Sequence, residues 1–240
     1  FGLGAGAVGT PWSPGNPVPP ADLGPPVNPR RGRPFLFNLV HEVTIVVPGG
    51  LFRLGGAGLG CPSGPQCVLG SFTPVPHQAQ GFHKLIEFGN RSLTSVVGFA
   101  AVLVIVAIWR WAPRRRNLRR ISFLPLLGVM LQAVLGGVTV LTGLNPAIVA
   151  AHFLASMVLV ALSAYLLYRV SEGDGTPVRL VRPAVRSVAR ATAALGGFVL
   201  VLGTLVTGPG PHSGDAATAR FGCDPRTSSW RHAEARMLVA

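Results

Sequence analysis

Residues 135–156 read LGGVTVLTGLNPAIVAAHFLAS, and their reading decides the fold. One apolar segment ends at Gly143, the chain turns through Asn145 and Pro146, and a second apolar segment begins that carries His152. Neither segment contains a charged residue, so both suit hydrocarbon and the turn between them suits a membrane surface. An imidazole one to two turns inside an apolar helix is costly in lipid. It therefore faces a partner, a cavity or a cofactor. A histidine hydrogen-bonded to a neighbouring helix meets the same constraint, and the sequence leaves both readings open.

Composition extends this outward. The chain has 240 residues of which 12% are charged, and its mean hydropathy is positive. It is too apolar for an ordinary soluble domain. The net charge of +13 would suggest nucleic acid in a soluble protein. Here the arginines sit between apolar runs, where they set membrane orientation, and no nucleic-acid partner is expected.

Residues 1–34 are rich in glycine and proline and are expected to form a disordered tail. The first span, 35–54, is the least apolar, because it contains His41, Glu42 and Pro48. A loop with Cys61 and Cys67 follows. The second span, 92–111, leads into the arginine-dense hinge APRRRNLRR, the third covers 121–141, and the fourth covers 147–168. A basic loop over 169–190 precedes a fifth span, 191–207, which ends in TGPGPHSGD. Arginines cluster before the first span, in the hinge and in the 169–190 loop. The positive-inside rule therefore places the N-terminus and these segments in the cytoplasm and the cysteine loop on the outer face of a cell membrane. The fold class expected is an all-α polytopic membrane protein. A faint repeat links 46–60 with 201–214, both Gly-rich exits leading to a cysteine-bearing loop and then to HKLIEFGNR or WRHAEAR. Two parallel halves of four helices explain it, with a first half over 35–168 and a second, over 191–240, cut short.

His83, Glu87 and Asn90 are spaced i, i+4, i+7 and share one helical face, with Arg91 beside it. That puts a carboxylate and an imidazole at the outer mouth of the second span, at a depth similar to His152, so the groups can meet across one bundle. Glu87 read as a surface carboxylate paired with Lys84 or Arg91 is the plainer alternative. Small and hydroxylic residues around His152 (Ala151, Ala155, Ser156, Ser163) leave room for a large ligand, and equally suit close helix packing. Cys61 and Cys67, in a loop assigned to the oxidising side, fit a disulfide or a reversible dithiol. They lack the further ligands of a zinc site. Cys223 has no evident partner, and His212 has Asp215 nearby to orient it. No Walker loop, dinucleotide fingerprint, HExxH or GxSxG motif is present.

Together GGLFRLGGAGLGCPSGPQC (49–67), IEFGNR (86–91), LQAVLGGVTVLTGLNPAIVAAHF (131–153) and VTGPGPHSGD (206–215) resemble the haem A synthase family. The resemblance implies eight helices in two pseudo-symmetric four-helix bundles, the second incomplete here because helices seven and eight are missing. It implies an oxidoreductase that converts a methyl group of haem O into the formyl group of haem A for cytochrome oxidase, with a b-type haem carrying electrons in the C-terminal half. By position, Glu87 matches the catalytic glutamate, His152 an axial iron ligand for the substrate haem, His232 an iron ligand of the second haem, and Cys61 with Cys67 the outer-loop disulfide pair. Many members carry histidine where this chain has Asn90. An axial position is then either open, the reading preferred here, or filled by His83. Phe52 and Gly55 stand where the family usually has a smaller apolar residue and a threonine. Expected partners are membrane lipid, haem O synthase, cytochrome oxidase assembly factors and further copies of the chain. The rival reading is a non-catalytic membrane protein, either a haem-binding electron-transfer or assembly factor or a small-solute transporter.

Overall fold

The computed structural model describes residues 29–56, 58–171, 181–208, 222 and 224–237. The tail up to residue 28, residues 172–180 of the basic loop, His212, Asp215 and Cys223 lie outside the described residues. Among the described residues seven helices follow one another: α1 (Pro29–Leu54), α2 (His83–Trp111), α3 (Arg116–Ile121), α4 (Leu124–Leu141), α5 (Pro146–Ser171), α6 (Pro183–Thr207) and α7 (Pro225–Met237). Five helical stretches are long and apolar enough to cross a membrane. No strand occurs among the described residues, and their one isolated bridge joins Val68 and Ser71.

Helix boundaries differ from the sequence expectation in four places, each for a local reason. α1 begins at Pro29 rather than at 35, because proline in a helix's first turn removes only an N–H that has no intrahelical acceptor. α2 begins at His83, nine residues before the apolar run. Its 29 residues span about 43 Å against roughly 30 Å of hydrocarbon, so its first two turns stand proud of the apolar layer. The arginine hinge is itself helical over Arg116–Ile121. α6 opens at Pro183, so residues 183–190 of the supposed basic loop are exposed helix.

α1 packs against α2 and α5, α4 packs against α5 and α2, and the four close into a bundle. Its end beside α3 is shut by Phe35, Val104, Ala107, Ile108, Leu118 and Leu166, all buried. Leu118, from the short α3, acts as the plug. On α2, Ala100, Ala101 and Ala107 are buried, and small residues of this kind let neighbouring backbones approach where lipid supplies no hydrophobic drive. Large apolar side chains such as Leu127, Met130, Leu131 and Val134 on α4 are exposed, the surface a bilayer would cover. α7 packs on α6, which touches α5, and Arg53 Nη2 donates to the last carbonyl of α6, at Thr207 (3.3 Å).

The α4–α5 turn closes as the sequence suggests. Gly143 takes a positive φ of 59°, and Gly143 N–H and Leu144 N–H bond back to Val140 and Thr139. That is the two-bond C-terminal cap glycine permits. Asn145 Oδ1 accepts from Ala147 N–H (3.0 Å), and Pro146 takes the first position of α5, which aims His152 inward along its first two turns.

Candidate functional site

The N-terminal end of α2 is roofed by the cysteine loop. Cys61 and Cys67 form a disulfide, and both are fully buried. Cys61 N–H donates to Glu87 Oε2 (2.7 Å), and Cys61 C=O accepts from Arg91 Nη2 (2.7 Å). Arg91 also donates to Glu87 Oε1 from Nη2 (2.6 Å) and Nε (3.1 Å), and from Nη1 to Pro65 C=O (3.2 Å). A planar guanidinium suits this several-way tie, its donors forking between a carboxylate and loop carbonyls. Lys84 Nζ turns away to the carbonyls of Val75 and Pro76, so Glu87 pairs with Arg91 and not with Lys84. Gly60 lies so close to α2 that a Cβ there would fall on the His83 carbonyl and within 2.9 Å of Lys84 N.

The expected common face of α2 divides. Glu87 is buried under the loop, His83 at the first position of α2 is exposed, and Asn90 is half-buried with an Oδ1 that is buried and unpartnered.

Inside the bundle, His152 is half-buried, and its Nδ1 is buried with no hydrogen-bond partner. Its ring lies against Gly136 of α4, where a Cβ would sit 3.5 Å from Cε1. The backbone at His152 is held from α4: Gln132 Nε2 donates to His152 C=O (3.0 Å) and to Ser156 Oγ (2.5 Å). Asn38 Nδ2 on α1 donates to Ser163 Oγ on α5 (2.8 Å), while Asn38 Oδ1, Glu42 Oε1 and Gln132 Oε1 are buried and unpartnered. Each of the four bundle helices thus contributes at least one orphaned polar atom. An unsatisfied buried group costs roughly 1–3 kcal/mol, so such a set requires something to satisfy it.

The sequence reading missed Asn38 and took Glu42 only as a sign of a poor span. The signal was present as polar residues at i, i+4 (Asn38, Glu42) in an apolar helix.

His232, on α7, repeats the relation seen at His152. Its Nδ1 is buried and unpartnered, and its ring packs on Gly203 of α6, where a Cβ would lie 3.4 Å from Cε1. His41, by contrast, is engaged by the Phe37 carbonyl of its own helix (2.8 Å). No cluster of three or more His, Cys, Asp or Glu side chains suited to a bare metal ion occurs among the described residues. Lone imidazoles with a free nitrogen, each beside a glycine of the adjoining helix, suit instead an iron already held in a porphyrin.

These features define a polytopic helical membrane protein with a disulfide-roofed four-helix bundle and an unsatisfied polar interior. Residues 35–211 match the family model of the cytochrome oxidase assembly proteins, COX15-CtaA, and the chain belongs to that family. Similar curated proteins named Heme A synthase occur in Alkalihalophilus pseudofirmus (29% identical, over 52% of this chain and 43% of that one). Others occur in Bacillus pumilus (28%, over 62% and 50%) and Listeria monocytogenes (31%, over 55% and 43%). The chain spans about half the length of these relatives. No solved structure matches it.

Proposed function

We propose that the chain provides the substrate-haem half of a haem A synthase, an oxidoreductase that converts a methyl group of haem O to the formyl group of haem A. The observation that carries this is the His152 imidazole, with Nδ1 buried and unpartnered beside Gly136 in a bundle whose four helices all offer unsatisfied polar atoms. His152 would hold the iron of the substrate haem, and His232 that of a b-type haem, which supplies an electron-transfer route when bound. Gln132 fixes the backbone from which His152 projects. The half-buried Asn90 would be at most a weak partner for the iron, and the exposed His83 would be the alternative donor.

Glu87 is the proposed catalytic carboxylate. Both its oxygens are engaged, by Cys61 N–H and by Arg91, so its role is to present a fixed negative charge at the outer mouth of the bundle and stabilise positive charge developing at the ring edge. Family membership and the haem A synthase relatives support the reaction class. The arginine distribution supports a cytoplasmic N-terminus and hinge with the cysteine loop outside, in a cell membrane. Haem O synthase, oxidase assembly factors and a second copy of the chain remain partners proposed from the resemblance.

The test is expression in membranes that make haem O but no haem A, with extracted haems separated by chromatography and identified by mass. Haem A or its alcohol precursor, absent from His152→Ala and Glu87→Ala, is the expected result. Haem bound but returned unaltered would overturn the enzymatic reading in favour of a haem carrier. Reporter fusions after Leu69 and after Ala112 check the orientation, and activity on the same side for both would overturn it.

A further inference from the structure

At the opposite end of the bundle from the cysteine loop, a cavity of about 420 Å³ is lined by Trp109 from the last turn of α2, Arg116, Arg119 and Arg120 from α3, and Phe123 at the start of α4. The Arg119 guanidinium lies 4.0 Å from the centre of the Trp109 ring, and Phe123 meets Trp109 edge-on with centroids 6.0 Å apart. The site therefore has an aromatic wall and a cationic one. No aspartate or glutamate occurs in the sequence between Glu87 and Glu172. Among the described residues, Arg116, Arg119 and Arg120 have no carboxylate partner. Three guanidinium groups around one concavity repel each other unless an anion joins them, and guanidinium forks match phosphate oxygens. The cavity also sits where two membrane-length helices meet the polar hinge, at headgroup depth, with indole and phenyl rings placed to lie along acyl chains.

We propose that this cavity binds the phosphate headgroup of an anionic phospholipid, such as phosphatidylglycerol, with its acyl chains running along the Trp109 and Phe123 side of the bundle. Bound there, the lipid joins α2, α3 and α4 and seats the Leu118 plug. The inference stands apart from the haem chemistry, so its failure would leave that reading untouched.

The test uses the whole chain in zwitterionic lipid nanodiscs, titrated with phosphatidylglycerol carrying brominated acyl chains and, in parallel, with brominated phosphatidylcholine. Bromine quenches tryptophan on contact. Trp109→Phe isolates the signal of this site from the other three tryptophans. Phosphatidylglycerol is expected to quench Trp109 at a concentration about tenfold lower than phosphatidylcholine, since each basic residue near the surface strengthens the attraction several-fold. Arg119→Gln with Arg120→Gln should erase that preference, and Arg119→Lys with Arg120→Lys should keep most of it, which separates loss of charge from misfolding. Equal quenching by both lipids, or a preference that survives the glutamine pair, would overturn the proposal. Displacement of the lipid by inorganic phosphate at matched ionic strength would also overturn it, by assigning the cavity to a soluble phosphate compound.

Discussion

Glu87 shows how much one side chain holds at this site. Its two oxygens join α2 to the cysteine loop through Cys61 N–H and to Arg91, which itself grips the Cys61 and Pro65 carbonyls. Glu87→Ala strands a buried N–H and two of the Arg91 donors, and is expected to cost about 2–3 kcal/mol, the range for an unsatisfied group next to a broken, partly screened pair. Glu87→Gln keeps one acceptor for the loop, removes the charge and turns an amide NH2, a donor, toward the Arg91 donors. Thermal unfolding in detergent should therefore separate the two variants by several degrees, while haem A formation falls in both. Equal stability with unequal turnover would show that the loop tie is dispensable. Gln132→Ala is the matching test on α4. It removes two hydrogen bonds at about 1 kcal/mol each and frees the backbone that aims His152, so haem retention should fall more than stability does. His152 was legible in the sequence because a lone polar side chain stands out in an apolar run. Gly136 and Gly203 were not, because what makes them matter is a ring on another helix.

At the scale of elements, the spans and the Asn145-Pro146 turn could be read directly, since apolar length and turn chemistry are local signals. The outer turns of α2 could not, because HKLIEFGNR is too polar for a hydropathy window. These residues stay helical because the cysteine loop satisfies them from outside, through Lys84, Glu87 and Arg91. Gly60→Ala tests that dependence. Its Cβ would strike the α2 backbone, which has no flexible end to yield, so the loop should lift. The Cys61–Cys67 bond, sealed at 0% exposure for both residues, should then become reducible by a water-soluble phosphine at a concentration that leaves the parent chain oxidised. α7 depends instead on a local cap. Asp224 accepts from the N–H groups of Arg226 and Thr227 and from the Thr227 hydroxyl. These bonds hold its carboxyl below the ordinary aspartate value, the Thr227 hydroxyl contributing most. A depressed carboxylate stabilises at pH above its unfolded value and stops doing so as pH falls through the folded one. The cap should therefore persist through mildly acid pH and be lost only below the usual aspartate range. Asp224→Ala should lose it at every pH, read as faster amide exchange in α7.

Across the whole molecule the two ends of the bundle are built to different rules. The end beside α3 is closed by apolar packing around Phe35, Ile108 and Leu166. The interior beyond it carries unpartnered polar atoms on Asn38, Glu42, Asn90, Gln132 and His152, which a ligand-free chain satisfies only by admitting water or leaving them bare. Binding of haem to the folded state alone raises stability by about 2.7 kcal/mol at a hundredfold excess over Kd. For a chain of this size each kcal/mol moves Tm by roughly 2–4 °C, so haem-depleted protein should melt about 5–10 °C below the loaded form. The His152→Ala variant should show a smaller gap, because the proposed iron ligand of one of the two haems is gone while His232 remains. Asn38→Ala, which loses the bond to Ser163 Oγ at the interface of α1 and α5, should melt lower in both forms yet keep the gap between them. A gap undiminished in His152→Ala would move the substrate haem to other side chains, whereas no gap in the parent chain would mean that the polar interior is satisfied by water alone.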